Sequence, residues 1–200
     1  KGTEKEYQAY IDRVARTLIE QIDTLSEIAT EFSNFAQIPT ARRQVFNLSV
    51  QISKVIELFE NHDKVQIEFK ASRCKELEVF ADREQLSRAL INLIKNGIQA
   101  IPEGKAGKIT ITLSKKDYLA VIAVADNGSG IPAELQEKMF SPSFTTKSSG
   151  MGLGLAIVKN IVENFRGRVW YETELNKGSV FYLEIPIYEH SASDENNCAE

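Results

Sequence analysis

The stretch that decides the fold is DNGSGIP at residues 126–132, which follows the apolar run YLAVIAVA at 118–125. An acid and two glycines stand where a buried strand should end. A simple turn is one interpretation, because Asp, Asn and Gly dominate turns. The next stretch, PAELQEKMF at 132–140, predicts a helix rather than a returning strand, which weakens that interpretation. Because glycine lets a backbone approach a ligand closely and Asp accepts hydrogen bonds, the stretch also predicts a binding site.

A second candidate lies on the predicted helix REQLSRALINLIKNGIQAI at 83–101. Asn92 and Asn96 are four residues apart, so their carboxamides project side by side. Asn is a mediocre helix former, and a solvated polar face is the alternative interpretation. A carboxamide oxygen is also a suitable ligand for a hard cation such as Mg²⁺.

The third candidate is GMGLGLA at 150–156, which opens a predicted helix. Glycines at a helix start expose backbone N–H groups that can bind phosphate. No GK[ST] ends the run and no strand precedes it, which argues against a P-loop and a dinucleotide fold. The polar stretch FSPSFTTK at 140–147 suits a lid, with Lys147 within reach of a phosphate.

The composition fits a soluble globular protein of one or two domains: 200 residues, 42% hydrophobic, 26% charged and a net charge of -4. This charge gives no reason to expect nucleic acid as a partner. The two cysteines are far apart and predict neither a disulfide framework nor a metal site, so we expect a cytoplasmic protein. No apolar run is long enough to span a membrane. The chain starts without Met, so we expect a longer parent protein whose other parts could carry an inner-membrane anchor.

The N-terminal part predicts one long helix over residues 4–36, because its apolar residues recur in steps of three and four. At about 1.5 Å per residue this helix would span roughly 48 Å. Packing on its own domain is the alternative to packing in a helical bundle with a partner, and the length favours the bundle. Pro39 breaks the pattern, and residues 39–46 are predicted to form a linker.

Residues 47–188 predict a two-layer α/β sandwich, followed by a flexible tail at 189–200. A helix is predicted at 47–62, and a capping box of Asp82 and Gln85 opens the next helix, which runs to about residue 101. Another helix is predicted at 152–166, closed by Gly167. Strands are predicted at 64–70, 77–81, 108–114 and 118–125, the last of them central, and a hairpin at 168–187.

Five motifs in order resemble the ATP-binding catalytic domain of bacterial sensor histidine kinases. They are NLIKN (92–96), DNGSGI (126–131), FSPSFTTK (140–147), GMGLGL (150–155) and GSVF (178–181). The resemblance covers about residues 10–187, and the wider superfamily includes gyrase, mismatch-repair and heat-shock-chaperone ATPases. It implies a Bergerat-type fold, in which helices cover one face of a mixed, mostly antiparallel sheet, preceded here by one long helix.

The resemblance also implies roles for individual residues. Asp126 would bind the adenine amino group, Asn96 would hold Mg²⁺, and Asn92 would lie near the phosphates. The full set implied to bind ATP is Asn92, Asn96, Ala100, Asp126, Gly128, Gly130, Ile131, Phe140, Thr145, Thr146, Lys147, Gly150, Met151, Gly152, Leu153, Gly154, Leu155 and Ser179. The chain departs from the family at Gly97, where Ala is usual, at a cost of about 1 kcal/mol in helix propensity.

The largest departure from the family is the absence of a phosphoacceptor histidine on a dimer helix. His62 follows a predicted helix and His190 lies in the tail, so both are expected to be ordinary surface residues. Helix 4–36 resembles the second helix of the dimerisation hairpin, which implies a homodimer. No catalytic residue is therefore expected in this chain, which would transfer the γ-phosphoryl of ATP to a histidine that it lacks, for relay to a response regulator.

Two alternatives remain open at this point. The first is an ATP-driven conformational machine of the same superfamily, which Asn92 disfavours because those hydrolases have a glutamate base there. The second is a module that binds ATP and dimerises without catalysis.

Overall fold

The computed structural model describes residues 7–19, 21–22, 25–26, 42–60, 65–71, 76–141 and 152–189. In chain order the elements after the N-terminal helix are β1 (Gln44–Asn47), α1 (Leu48–Glu57), β2 (Val65–Ala71), β3 (Glu78–Ala81), α2 (Arg83–Ala100), β4 (Gly107–Lys116), β5 (Leu119–Asp126), α3 (Ala133–Gln136), α4 (Gly154–Asn164), β6 (Arg168–Glu174) and β7 (Gly178–Pro186). Predictions that fall on the other residues, including those for His62 and His190, lie outside the described part of the chain.

Five of the strands form one sheet in the order β2-β4-β5-β7-β6. Only β2 and β4 are parallel, and the other three pairs are antiparallel. The prediction of a mixed, mostly antiparallel sheet is confirmed, and so is the central place of β5. The short strands β1 and β3 pair antiparallel in a separate two-stranded sheet.

The core lies between the sheet and the helices, as predicted for a two-layer sandwich. Alternate residues of β5, namely Ala120, Ile122 and Val124, are buried, while Val121 and Ala123 on the opposite face are half-buried. The buried residues pack in one cluster with the apolar faces of α1, α2 and α4. β4 and β7 flank β5 on both edges, which makes it the central strand of the sheet.

Helix α2 begins at Asp82, as predicted. The Asp82 Oδ1 atom accepts hydrogen bonds from the backbone N–H groups of Glu84 (2.9 Å) and Gln85 (3.1 Å). The reciprocal half of the predicted capping box does not form, because the buried Gln85 Oε1 atom has no hydrogen-bond partner. The N–H of Arg42 instead approaches Asp82 Oδ2 at 2.7 Å, which ties the segment before β1 to this cap.

Several predicted boundaries were too wide. Helix α1 starts after the cap Asn47 and ends at Glu57 rather than at residue 62. The stretch 132–140 contains only the single turn Ala133–Gln136 as α-helix. Strand β1 begins at residue 44, inside the predicted linker, because its pairing with β3 draws that segment into the folded domain.

The end of α4 also differs from the prediction. The residue with positive φ after the helix is Arg166 (59°), not Gly167. Gly167 is needed for space instead, because a Cβ placed on it would overlap the carbonyl oxygen of Glu184. Its N–H donates to the carbonyl of Val162 at 2.9 Å and so still closes the helix.

The N-terminal helix is described at residues 7–19, where every residue is exposed. Its apolar side chains leave large fractions of their surface in water, 68% for Tyr7 and 57% for Leu18. Residues 21–22 and 25–26 are also helical, and the rest of the predicted helix 4–36 lies outside the described residues. Within the described ranges, no helix has both the length and the apolar character needed to cross a membrane.

Candidate functional site

The site is organised around Asp126, the last residue of β5. Its Oδ1 atom accepts hydrogen bonds from the N–H groups of Gly128 (2.8 Å) and Ser179 (3.3 Å). Its Oδ2 atom has no hydrogen bond to any residue in the described part of the chain. One carboxylate oxygen is therefore fixed by the backbone, and the other can accept a hydrogen bond from a ligand.

Burial raises the pKa of the Asp126 carboxyl above its ordinary value, and this effect outweighs three opposing ones. The N–H groups of Gly128 and Ser179 and the positive charge of Lys105 favour the ionised form. A carboxylate that has lost part of its hydration gains more from a new donor than one in water. Asp126 is thus suited to binding an amine.

Gly128 lies directly against the end of α2. A Cβ placed on it would be 2.6 Å from the carbonyl oxygen of Ala100, which no backbone could tolerate without moving. The same carbonyl accepts a hydrogen bond from the N–H of Ser129 at 2.9 Å. The predicted site residues Ala100 and Gly128 are therefore in contact, and they bring the loop to the helix that carries the two asparagines.

Gly130 connects the loop to the hairpin of β6 and β7. Its φ is 69°, and a Cβ on it would overlap the carbonyl oxygen of Glu174. The N–H of Asn176 donates to the carbonyl of Ser129 at 2.7 Å. The next residue, Ile131, donates its N–H to the hydroxyl of Thr173 at 2.9 Å. The glycines of DNGSGIP are therefore required for close backbone packing on two sides.

Asn127 fixes the loop on a third side. Its side chain accepts from the N–H of Lys108 (2.8 Å) and donates to the carbonyl of Ala106 (2.9 Å). These bonds hold the start of β4 against the end of β5. Asn127 therefore has a structural function next to Asp126.

The two asparagines of α2 lie beside the start of α4. A Cβ placed on Gly154 would be 3.3 Å from Asn92 Oδ1 and 3.9 Å from Asn96 Nδ2. The Asn92 Nδ2 atom donates to the carbonyl of Arg88 at 3.0 Å, which directs Asn92 Oδ1 toward Gly154. The asparagine and glycine motifs, 58 residues apart in sequence from Asn96 to Gly154, therefore meet in the fold.

The N-terminus of α4 carries N–H groups that can bind an anion. The N-cap residue Leu153 makes no side-chain hydrogen bond to them, so no capping bond forms among the described residues. The preceding Gly152 has a φ of 66°. Leu153 and Leu155 are buried, so only their backbone atoms can contact a ligand. An uncapped 11-residue helix that begins beside two carboxamides suits a phosphate group.

Gly97 joins the two halves of the site. A Cβ on Gly97 would lie 3.2 Å from the Cβ of Asp126 and 3.2 Å from the Cδ1 of Ile109. The helix that carries Asn96 therefore passes close to Asp126 at the residue that follows Asn96. The glycine that costs helix propensity provides the space for this approach.

Phe140 has a supporting position. Its ring packs on that of Tyr171, with 5.9 Å between the centroids, and Tyr171 packs on Phe181 at 5.6 Å. The Tyr171 hydroxyl donates to the carbonyl of Gln136 at 2.7 Å. Phe140 thus anchors the segment before the predicted lid. The predicted site residues Thr145, Thr146, Lys147, Gly150 and Met151 lie outside the described residues.

Two contributors to the site were not predicted from the sequence. The positive charge of Lys105 lowers the pKa of Asp126, and Thr173 contacts both Ile131 and Ser179. Thr173 could have been found from the strand pattern, because it occupies an inward position of β6. The pairing that brings it next to Ser179 is visible only in the sheet register.

The residues present fit a magnesium ion bound together with a phosphorylated ligand. Asn92 presents its carboxamide oxygen next to the start of α4, and the carboxamide of Asn96 lies beside it with its Nδ2 atom nearest to Gly154. Mg²⁺ commonly takes one or two protein oxygens and obtains its other ligands from phosphates and water. Within the described ranges, no group of three or more His, Cys, Asp or Glu residues could hold a metal ion.

The chain matches the model of the family described as histidine kinase-, DNA gyrase B- and HSP90-like ATPases over residues 81–189. Among curated proteins, the sensor histidine kinase ZraS of Escherichia coli (strain K12) is 34% identical over 178 residues, 88% of this chain and 38% of that protein. Sporulation kinase D of Bacillus subtilis (strain 168) is 32% identical over 189 residues, 92% of this chain and 37% of that protein. The chain thus spans less than two-fifths of the length of these relatives.

Solved structures agree with this match. The nucleotide-free catalytic domain of the histidine kinase ThkA is similar with a TM-score of 0.65 and 40% identity, over 72% of this chain and 95% of that chain. ThkA in complex with the response regulator protein TrrA is similar with a TM-score of 0.69 and 34% identity, over 84% of this chain and 48% of that chain. The matched range of the family model contains Asp126, both asparagines and the whole of α4.

Proposed function

Because the chain belongs to the family of histidine kinase-, DNA gyrase B- and HSP90-like ATPases, we propose that it is the ATP-binding catalytic module of a sensor histidine kinase. It transfers the γ-phosphoryl group of ATP to a histidine outside these 200 residues. The phosphoryl group then passes to an aspartate of a response regulator. The similarity to ZraS and ThkA supports this choice within the family.

The observation that carries the proposal is the geometry of Asp126. Its Oδ1 atom is held by two backbone N–H groups, while its Oδ2 atom accepts from the amino group of adenine. The contacts of Gly128 with Ala100 and of Gly130 with Glu174 keep the loop close to both neighbours and so fix the position of Asp126. Guanine has a carbonyl where adenine has the amine, so the same oxygen repels it.

The phosphates of ATP lie at the other end of the site, between α2 and the start of α4. The N–H groups at the start of α4 bind the phosphates, and Asn96 binds Mg²⁺ with Asn92 beside it. The bound Mg²⁺ would neutralise charge on the transferred group. The resemblance assigns contacts with ATP also to Lys147, Thr145 and Thr146, which lie outside the described residues.

The amide at position 92 favours phosphoryl transfer to a protein over hydrolysis. Hydrolysis needs a base that takes a proton from water, and a carboxamide has no useful basicity. A neutral imidazole nitrogen is already a nucleophile, so transfer to histidine depends mainly on positioning. The N–P bond forms as the bond from the γ-phosphorus to the bridging oxygen breaks, and ADP leaves with that electron pair.

The N-terminal helix mediates homodimerisation in the parent protein. The exposed apolar side chains at positions 7, 11, 14 and 18 favour this use, because such a stripe is stable only when another surface covers it. The helix corresponds to one half of the hairpin that presents the phosphoacceptor. The complex of ThkA with a response regulator supports the same kind of partner for the parent of this chain.

Calorimetric titration of the chain with ATP and with GTP, each with and without Mg²⁺, tests the nucleotide assignment. ATP should bind much more tightly than GTP, and Mg²⁺ should strengthen ATP binding. Asp117→Asn is the matched control for the substitution Asp126→Asn. Asp117 lies in the turn at the opposite end of β5, and its φ of 52° suits asparagine. Equal affinities for ATP and GTP in the unsubstituted chain would refute the assignment.

A further inference from the structure

Thr173, which lies outside all five motifs, is separated from Asp126 by one strand of the sheet. Thr173 of β6 is directly opposite Ser179 of β7, and Ser179 is directly opposite Asp126 of β5. Side chains at paired positions of adjacent strands project from the same face of a sheet. The three side chains therefore form one polar row on the face that carries the site, with 2.9 Å between Thr173 Oγ1 and Ser179 Oγ.

The directions of the hydrogen bonds in this row follow from counting protons. A hydroxyl has one proton and two lone pairs. Thr173 Oγ1 has three neighbours: the N–H of Ile131 at 2.9 Å, the carbonyl oxygen of Gly178 at 3.2 Å, and the Ser179 hydroxyl. The N–H can only donate and the carbonyl can only accept. All three bonds form together only when Thr173 donates to Gly178 and Ser179 donates its own proton to Thr173.

This arrangement leaves Ser179 with lone pairs only. Ser179 is 4% exposed and lies beside Asp126, whose Oδ2 atom is also an acceptor. A base that lies against Asp126 and Ser179 would therefore meet acceptors and no hydroxyl proton. A base with an amino group fits this edge, whereas a base with an oxo group in the same place meets lone pairs.

We propose that Thr173 is a positioning residue that sets base selectivity by holding the hydroxyl proton of Ser179 away from the bound base. The proposal rests on the proposed function, because it requires the base of ATP to lie against Asp126. Thr173 does not touch the nucleotide and acts through Ser179. Its hydroxyl and the Asp126 carboxylate thus select for the same exocyclic amine.

The test compares the dissociation constants of ATP and ITP. ITP has an oxo group where ATP has the amine and a proton on N1 where ATP has a lone pair, so the readout is the change of their ratio between the parent and each variant. Thr173→Val removes the acceptor for the Ser179 proton, which Ser179 can then donate to the oxo group. The ratio of the ITP constant to the ATP constant should fall roughly three- to tenfold. Thr173→Ser keeps the hydroxyl and should retain the parent ratio. A purely structural role would weaken both nucleotides alike, because the lost support of Ile131 cancels in the ratio.

A second background shows whether Thr173 acts through Ser179. In Ser179→Ala the proton is absent, so Thr173→Val should no longer change the ratio. If the valine variant loses its folded circular dichroism, Thr173→Ala makes the same comparison with a smaller side chain.

Two results would overturn the role of Thr173 alone. One is an unchanged ratio in Thr173→Val and Thr173→Ala while the parent chain prefers ATP. The other is a shift of the ratio by Thr173→Val that is as large in the Ser179→Ala variant as in the parent chain. A parent chain that binds neither nucleotide would overturn the proposed function and this role together.

Discussion

Asp126→Asn separates the binding role of the carboxylate from its structural role. The N–H groups of Gly128 and Ser179 both donate to Oδ1, so an acceptor must remain at that position. The asparagine must therefore keep its oxygen there and place its NH₂ group where Oδ2 was. The group that faces the base changes from an ionised acceptor to a donor.

The expected loss follows from that change. A hydrogen bond to a charged acceptor contributes about 1.5–3 kcal/mol, so ATP affinity should fall about ten- to hundredfold. Calorimetric titration with ATP measures this loss, and the same experiment with GTP should show a smaller loss or a gain, because the new donor faces a carbonyl. The Asp117→Asn control should bind ATP as the parent does.

The same substitution should stabilise the nucleotide-free domain at neutral pH. Burial raises the pKa of Asp126 in the folded state above its ordinary value of 3.8. An acid with a raised folded-state pKa favours folding below its unfolded-state pKa and loses that contribution as the pH rises through the folded-state value. The asparagine variant should therefore melt at a higher temperature than the parent at neutral pH, and the difference should shrink as the pH falls toward 3.8.

An ATP affinity within threefold of the parent, in a variant that is folded, would refute the role given to Asp126.

Three further substitutions or deletions test other parts of the account. Asn96→Ala should reduce the strengthening of ATP binding by Mg²⁺ more than it reduces metal-free binding, because the adenine contacts lie elsewhere. Titrations with ATP in the presence and absence of Mg²⁺ measure both effects. Asn160→Ala on the exposed face of α4 is the control. Gly128→Ala should lower the free energy of unfolding by about 1–3 kcal/mol in urea titration, because its Cβ would lie 2.6 Å from the Ala100 carbonyl; an unchanged midpoint would contradict the close packing of this loop. Deletion of residues 1–38 should leave a folded monomer that binds ATP, while the full chain self-associates; light scattering that finds the full chain monomeric at high concentration would count against the helix as a dimerisation element.

The sequence predicted those parts of the fold that a local pattern of residues determines. The central position of β5 followed from its continuous apolar run, and the start of α2 followed from Asp82. The approach of the asparagines to Gly154 was predicted only through the resemblance, because 58 residues separate Asn96 from Gly154. Local patterns carry no information about contacts over such separations.

The parts that could not be predicted depend on long-range pairing. Strand β1 has only four residues, and it forms because β3 pairs with it some 30 residues later. The function of Thr173 depends on the register of three strands, which no motif records. Gly167 was assigned a helix-capping conformation, while its actual constraint is the nearby carbonyl of Glu184 on another strand.

Phosphoryl transfer in trans tests the central claim most directly. The chain is incubated with ATP labelled at the γ-phosphate, alone and with a catalytically inactive sensor kinase hairpin that carries the phosphoacceptor histidine. Alone, the chain should bind ATP, consume little of it and remain unlabelled, because Asn92 supplies no base and no acceptor is present. With the hairpin, label should appear on the hairpin only. Labelling of the chain itself at His62 or His190, or rapid ATP turnover without the hairpin, would contradict the account.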